Sequence, residues 1–291
     1  MTSRSFPAVA VAAVLAVAGA ACDVHVGENG LSVDVASGKA TEDWSRTYPV
    51  ARGATVEIVN TNGTIEVEPG GDGQLEVKAT KTARAGSDEE ARALLKTVEI
   101  KEEAVSSDQV RLKTTTSSGP TLGRRSAIVE YHIKAPAGLK LTVRTENGGV
   151  NLRDVSGVLT AATTNGGVRG SNLSGSVSAH AVNGGLVIDM AQVAGAIDMD
   201  VVNGGIRLDI PSDAKADIDA HTVNGGVVVD RALSLSGGEQ GRSRITGALN
   251  GGGARINAST VNGGVRINAR GGSRSATNAR EETAVIIKRK N

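Results

Sequence analysis

The sequence predicts an all-β protein, a right-handed parallel β-solenoid of Asn-Gly-Gly repeats with one inserted α-helix. Three observations predict it. Asn-Gly-Gly occurs seven times, at Asn147, Asn165, Asn183, Asn203, Asn224, Asn250 and Asn262, and the first five copies are 18, 18, 20 and 21 residues apart. A fixed period of that size marks one structural unit stacked on the next. Aligned on their asparagines, the copies also keep their apolar residues in the same places. Six residues before the Asn stand Leu141, Leu159, Val177, Ile197, Ile218 and Ile256; four before it stand Val143, Ala161, Ala179, Met199, Ala220 and Ala258. Three after it stand Val150, Val168, Leu186, Ile206, Val227 and Val265. In-register stacking rewards such identity, because each position meets its own equivalent about 4.8 Å away. Aromatic residues, finally, are nearly absent: beyond Phe6 only Trp44, Tyr48 and Tyr131 occur, which suits a narrow interior. The residues leave an antiparallel β-meander open as the alternative, since Asn-Gly is also the strongest short signal for a two-residue hairpin turn.

Taken in order, residues 1–21 read as a signal peptide. Arg4 precedes an Ala/Val run from Ala8 to Ala18 and then small residues up to Cys22. The run of about 15 apolar residues is shorter than the roughly 20 a membrane-spanning helix needs. The segment Ala18-Gly19-Ala20-Ala21-Cys22 is similar to a bacterial lipobox, with Gly19 where a larger aliphatic residue is usual, so Cys22 is the expected lipidation site. Residues 22–47 then form the lipidated N-terminus and a polar, Gly-rich tether. Acyl chains would hold the protein at a membrane without its spanning it.

The repeat domain is expected over 48–270. Thr55–Val59, Thr64–Glu68 and Leu75–Ala79 alternate apolar and polar residues with period two, and Asn62-Gly63 reads as a diverged first copy of the repeat. Ser87, with Glu90 three residues on, opens a helix over about 88–98 with the stripe Ala91, Leu94, Leu95 and Val98. Strands over Val110–Thr116 and Ala127–Lys134 follow, closed by the turn at Pro136. The Asn250 copy breaks the pattern, because Arg244 takes its first inward place, so this coil is expected to be distorted. Residues 271–291 form a basic tail with a candidate last strand.

A formal net charge of only +1 argues against nucleic acid as a partner. Charge is nonetheless uneven. Leu186–Asp230 carries eight Asp against Arg207 and Lys215, a net −6, whereas Arg231–Asn291 carries eleven Lys or Arg against three Glu, a net +8. The repeats from Leu139 onward contain no aromatic platform on which a sugar or base could stack.

The repeated Asn-Gly-Gly-Val units, the entry Trp44-Ser-Arg-Thr-Tyr-Pro49, the copy Val59-Asn-Thr-Asn-Gly-Thr-Ile-Glu-Val67 and the lipoprotein-like start together resemble the bacterial β-strand-repeat family of adhesin-like proteins of unknown function. The resemblance covers roughly residues 44 to 268 and implies a β-solenoid-like envelope protein. It carries over no catalytic residue.

Two constellations deserve chemical scrutiny. Asn147, Asn165, Asn183, Asn203, Asn224 and Asn262 are expected to form a structural turn ladder, with amides bonded from coil to coil. The outward residues three before the Asn are His180, Asp200 and His221, and five before it are Ser178, Asp198 and Asp219. If successive copies stack in chain order, His180, Asp200, His221, Asp198 and Asp219 form adjacent columns of imidazole and carboxylate, a ligand set for a divalent metal such as zinc. A solvated ladder of ion pairs is the plainer reading, and no other cofactor is implied. Asp189, Asp209 and Asp230 would make a third column, one that needs neutralising. Paired carboxylates could serve a carbohydrate-active β-helix enzyme, but the sugar platforms are missing and no nucleophile motif is present. The sequence therefore points to an exported, lipid-anchored cell-envelope protein with a structural or adhesive role and no catalysis. Its partners would be the membrane, through the anchor, and an envelope or surface ligand. A metal-responsive envelope binder and a carbohydrate-active enzyme are the alternatives.

Overall fold

The computed structural model describes residues 38–116 and 125–270, together with the backbone of a two-residue strand pair, Val26–Gly27 with Gly30–Leu31. The expected signal peptide, Cys22 and the basic tail lie outside the described residues. What is described is an all-β, solenoid-like mixed sheet carrying one helix.

Each repeat supplies one strand before its Asn and one after it, and these two strands do not pair with each other. Their partners are the equivalent strands of neighbouring repeats. Leu139–Asn147 pairs in parallel with Thr55–Asn62 on one side and Ser156–Asn165 on the other, with Asn62, Asn147 and Asn165 in register. Val168–Asn183 and Leu186–Asn203 continue the stack, Asn165 matching Asn183 and Asn183 matching Asn203. The inward columns are buried as the alignment requires: Leu141, Leu159, Val177, Ile197, Ile256 and Ile218 lie one above another, none more than 4% exposed. Each such aliphatic side chain contributes about 1.5–3 kcal/mol by leaving water.

Chain order and stacking order part company after Asn203. Pro211–Lys215 carries the chain up two levels instead of one, and the slot left behind is filled later by Ala254–Asn262 and Val265–Ala269. Thus Asn203 pairs with Asn262, and Asn262 with Asn224. The same interleaving holds across the corner, where Ile206–Ile210 pairs with Val265–Ala269, which pairs with Val227–Val229. The distorted Asn250 copy is an end cap: Arg244–Leu249 runs antiparallel along Ala216–His221 and covers the last coil. Asn250 itself is in the left-handed region, and its amide donates to Ser212 O and Ala214 O at 3.1 and 2.8 Å.

At the other end the sheet turns antiparallel. Residues 38–47, expected to belong to the tether, are part of a twelve-residue strand, Gly38–Pro49, in unbroken register with Gln74–Ala85. The polar sequence hid it because its inward places mix small Gly38 and Ala40, which lie under the helix, with the charged Glu42 and Arg46 between Trp44 and Tyr48. The helix spans Asp88–Leu95, with Ser87 Oγ accepting from Glu90 N–H at 3.2 Å, and Ala91, Leu94 and Leu95 pack on Ala40, Ala83 and Ala85. It stops short of the expected 98, because Val98 is buried as the first residue of strand Val98–Val105. The edges Gly38–Pro49 and Val98–Val105 face each other, bridged by Arg46 to Glu102 at 3.1 Å and by the Tyr48 hydroxyl donating to Glu102 at 3.0 Å.

Tyr131 is fully buried here, 2.7 Å from Thr114 Oγ1. Burial pushes its hydroxyl up to about 12, against a smaller lowering by the Thr114 hydrogen bond. The folded chain therefore holds this proton more tightly than the unfolded chain does. The stability this confers is intact below pH 10 and is lost as pH rises towards 12, about 2–3 kcal/mol over that window. Tyr131→Phe should flatten the fall, as urea unfolding at several alkaline pH values would reveal.

Candidate functional site

The corner row forms one continuous ladder. Asn147, Asn165, Asn183 and Asn203 each donate Nδ2 to the Oδ1 of the preceding asparagine at 2.8–3.0 Å, starting from Asn62. Asn262 donates to Asn203 and Asn224 to Asn262, both at 2.8 Å. Beneath it lies a second row that the alignment overlooked. Thr145, Thr163, Thr260 and Thr222, two residues before the Asn, each donate Oγ1 to a glycine carbonyl of the adjoining coil at 2.8–3.0 Å. Thr163→Val keeps the shape and removes that bond, so thermal unfolding should show a loss of about 1 kcal/mol. Ala181 and Val201 fill the same place in their coils, which tolerate an apolar residue there.

The outward columns beside the ladder do not fall as chain order predicts. Ser259, not His221, stacks on Asp200, and Asn257 separates Asp198 from Asp219. Four of the five residues expected to form one metal site are therefore split into two pairs, and the fifth, Asp198, accepts from Asn257 instead. His180 Nδ1 is 3.3 Å from Asp200, while His221 Nδ1 is 3.7 Å from Asp219, which also holds Arg244 at 2.8 Å. Among the described residues no three His, Cys, Asp or Glu side chains converge as a metal ion requires. The physical reason is the interleaved coil, which puts amide and hydroxyl where the alignment put imidazole and carboxylate.

What the sheet does bring together is a hydroxyl, an imidazole and a carboxylate. Ser178 Oγ and His180 Nε2 share a 2.8 Å hydrogen bond, His180 Nδ1 faces Asp200, and Ser259 Oγ donates to Asp200. The order matches a nucleophile relay. Acyl transfer also needs free N–H donors aimed at an oxyanion. Ser178 sits inside a strand paired on both sides, with Thr160 and Asp198, so the backbone donors around it are engaged by the sheet. With half-exposed side chains, the arrangement is a polar surface cluster.

Two members of the third acidic column, Asp189 and Asp209, are neutralised in place, whereas Asp230 accepts from Ala232 N–H at 3.0 Å. Arg207 clasps Asp209 at 2.8 Å, and this hydrogen bond raises the guanidinium further above its ordinary value. Arg270 bridges to Asp189 at 3.1 Å, and Asn268 donates to Asp209 at 2.7 Å.

One more column went unread in the sequence although its signal is there. Val182, Val202, Val261 and Val223 directly precede their asparagines, at the outward parity of each strand. The structure stacks them on four consecutive coils, 41%, 43%, 41% and 68% exposed. Three of them border an open groove of about 610 Å³, whose other walls include Arg144, Glu146, Ala162, His180 and Asp200. Small Ala162 between Arg144 and His180 forms its floor.

No helix among the described residues is long and apolar enough to cross a membrane. No curated protein matches the chain. Among solved structures it is similar to a "putative cell adhesion protein" from Clostridium sporogenes, at 12% identity over 79% of this chain and 100% of that one, with a TM-score of 0.49. It is also similar to a "putative adhesin" from Parabacteroides merdae, at 11% identity over 85% and 99% of the two chains, with a TM-score of 0.31. A "putative lipid binding protein" from Parabacteroides distasonis is similar at 8% identity over 78% and 96%, with a TM-score of 0.26. The family model described as Toastrack DUF4097 matches residues 55–268, the interleaved stack and all of the antiparallel end except the strand Gly38–Pro49, and the chain belongs to that family.

Proposed function

We propose that this is an exported, lipid-anchored cell-envelope protein with an adhesive or structural binding role, and that the ladder face is its contact surface. The observation that carries the reading is the stripe Val182–Val202–Val261–Val223. Four exposed valines in a row, about 4.8 Å apart, form apolar surface that a partner would cover, rimmed by the polar groups of His180, Asp200 and the Asn ladder. A flat, hydrogen-bonded face of this kind is rigid, so little entropy is lost when a partner binds. A right-handed wind belongs to the same reading, supported by the strong preference of parallel strand–connection–strand units for that hand. Cys22 supplies the anchor, and the polar residues up to 37 the spacer.

The test uses the full chain carrying Cys22→Ser, so that no acyl group brings it to membranes, with and without Val202→Lys and Val261→Lys. Co-sedimentation with isolated cell envelopes is expected for the parent and lost in the lysine variant at unchanged melting temperature. Equal retention of both, or of neither, defeats the reading of the face. Separately, the double lysine variant should fractionate with cell membranes when Cys22 is present and move to the soluble fraction when Cys22→Ser is added; an unchanged distribution would remove the anchor.

A further inference from the structure

The ladder is built from Asn-Gly pairs, and Asn-Gly has a chemistry of its own. The backbone nitrogen of the glycine can attack the asparagine side-chain carbonyl carbon, closing a five-membered succinimide and expelling ammonia. Water then opens the ring to aspartate or isoaspartate. Atoms balance with water as the only co-reactant. The reaction requires a glycine N–H free to give up its proton and an asparagine side chain free to turn onto it.

Six rungs engage the glycine N–H, and five of them also hold the asparagine side chain from both sides, Asn62 being held through its Oδ1. The N–H groups of Gly63, Gly148, Gly166, Gly184, Gly204 and Gly263 each donate to the main-chain oxygen of the next asparagine in the stack, at 2.8–3.0 Å. Those glycines are buried or half-buried. The last rung differs on every count. Among the described residues Gly225 N–H donates to no acceptor, Gly225 is exposed, and Asn224 Oδ1 accepts no bond. One hydrogen bond, Asn224 Nδ2 to Asn262 Oδ1 at 2.8 Å, holds the side chain. The off-ladder pair Asn250-Gly251 makes a useful contrast, because two main-chain carbonyls pin the Asn250 amide.

We infer that Asn224-Gly225 is a site of spontaneous deamidation, and that stacking protects the other rungs. Conversion puts a carboxylate where the terminal amide donated to Asn262 and adds a negative charge to the coil that carries Val223, Asp219 and His221. Isoaspartate further lengthens the corner backbone. The inference stands independently of the proposed contact face, since it rests on the ladder alone.

The test ages the folded full chain in mildly alkaline buffer and follows each Asn-Gly peptide by mass spectrometry, reading the one-unit mass gain and the isoaspartate content. Asn224 is expected to convert roughly tenfold or more faster than Asn165 and Asn183, because these react only through local opening of the stack. In denaturant the three rates should become alike, which assigns the difference to the fold. The peptide containing Asn29-Gly30, whose asparagine lies outside the described residues, is read separately. Equal rates at Asn224 and Asn165 in the folded chain, conversion of Asn250 ahead of Asn224, or a difference that survives denaturation would each overturn the inference.

Discussion

Gly184→Ala is expected to cost about 3 kcal/mol or more, while Gly149→Ala, the same change one residue further along the corner two coils away, should stay within about 0.5 kcal/mol of the parent. A Cβ on Gly184 would sit 1.7 Å from Gly166 O, where no atom can be accommodated. Relief requires the two coils to part, which also strains the Asn183–Asn165 amide bond at 3.0 Å and the Gly166 N–H bond to Asn183 O at 2.9 Å. A Cβ on Gly149 would find its nearest neighbour, Gly167 O, at 3.6 Å, an ordinary contact. Paired urea titrations decide the matter: comparable losses at both sites would show that general corner flexibility, and not the close approach of coils, demands the first glycine of each Asn-Gly-Gly.

Asn257→Asp combined with Asn268→Asp is the second large effect expected, a loss of about 3 kcal/mol at low ionic strength. Asn257 stands in register between Asp198 and Asp219 and donates to Asp198 at 2.7 Å; Asn268 stacks on Asp209 and donates to it at 2.7 Å. Each change forfeits a hydrogen bond to a carboxylate and stacks like charges at strand spacing. Arg244 and Arg207 offset only part of this, since each already serves one Asp. Because these groups are partly exposed, added salt should recover much of the deficit by screening it. A deficit independent of salt would mean that the lost hydrogen bonds account for all of it. The same columns explain why the late coil is interleaved. Stacking Ala216–Asn224 directly on Leu186–Asn203 would place Asp219 against Asp198, and the inserted strand puts an amide between them.

The fold was legible where one chemical pattern repeats. Inward Leu, Ile, Val and Ala at fixed offsets from each asparagine gave the buried columns, and Arg244 in an inward place marked the copy that leaves the stack. The Ser87 cap gave the helix start. The strand Gly38–Pro49 was illegible, because Glu42 and Arg46 stand at its inward parity and break the apolar alternation, while its pairing is carried by backbone hydrogen bonds. The outward site was half legible. His180 beside Asp200 followed from the offsets; the placing of His221 next to Asp200 did not survive, because Ser259 takes that level. The valine stripe was readable from parity alone and needed only the step of asking which outward residues are apolar.

By itself the sequence determined the unit: which residue of each copy points inward, where the corner turns, and that asparagines and glycines form rows. Side-chain parity and the absence of a Cβ are local properties, and a repeated local property propagates. Only the tertiary structure decided the order in which units stack. Every coil offers nearly the same hydrogen-bonding edge to any other, so register cannot tell neighbours apart. The choice falls to the two-level step at Pro211–Lys215 and to the separation of charges across the sheet. That choice splits the expected metal site into two His–Asp pairs, aligns the four valines, and leaves Asn224 as the open end of the ladder.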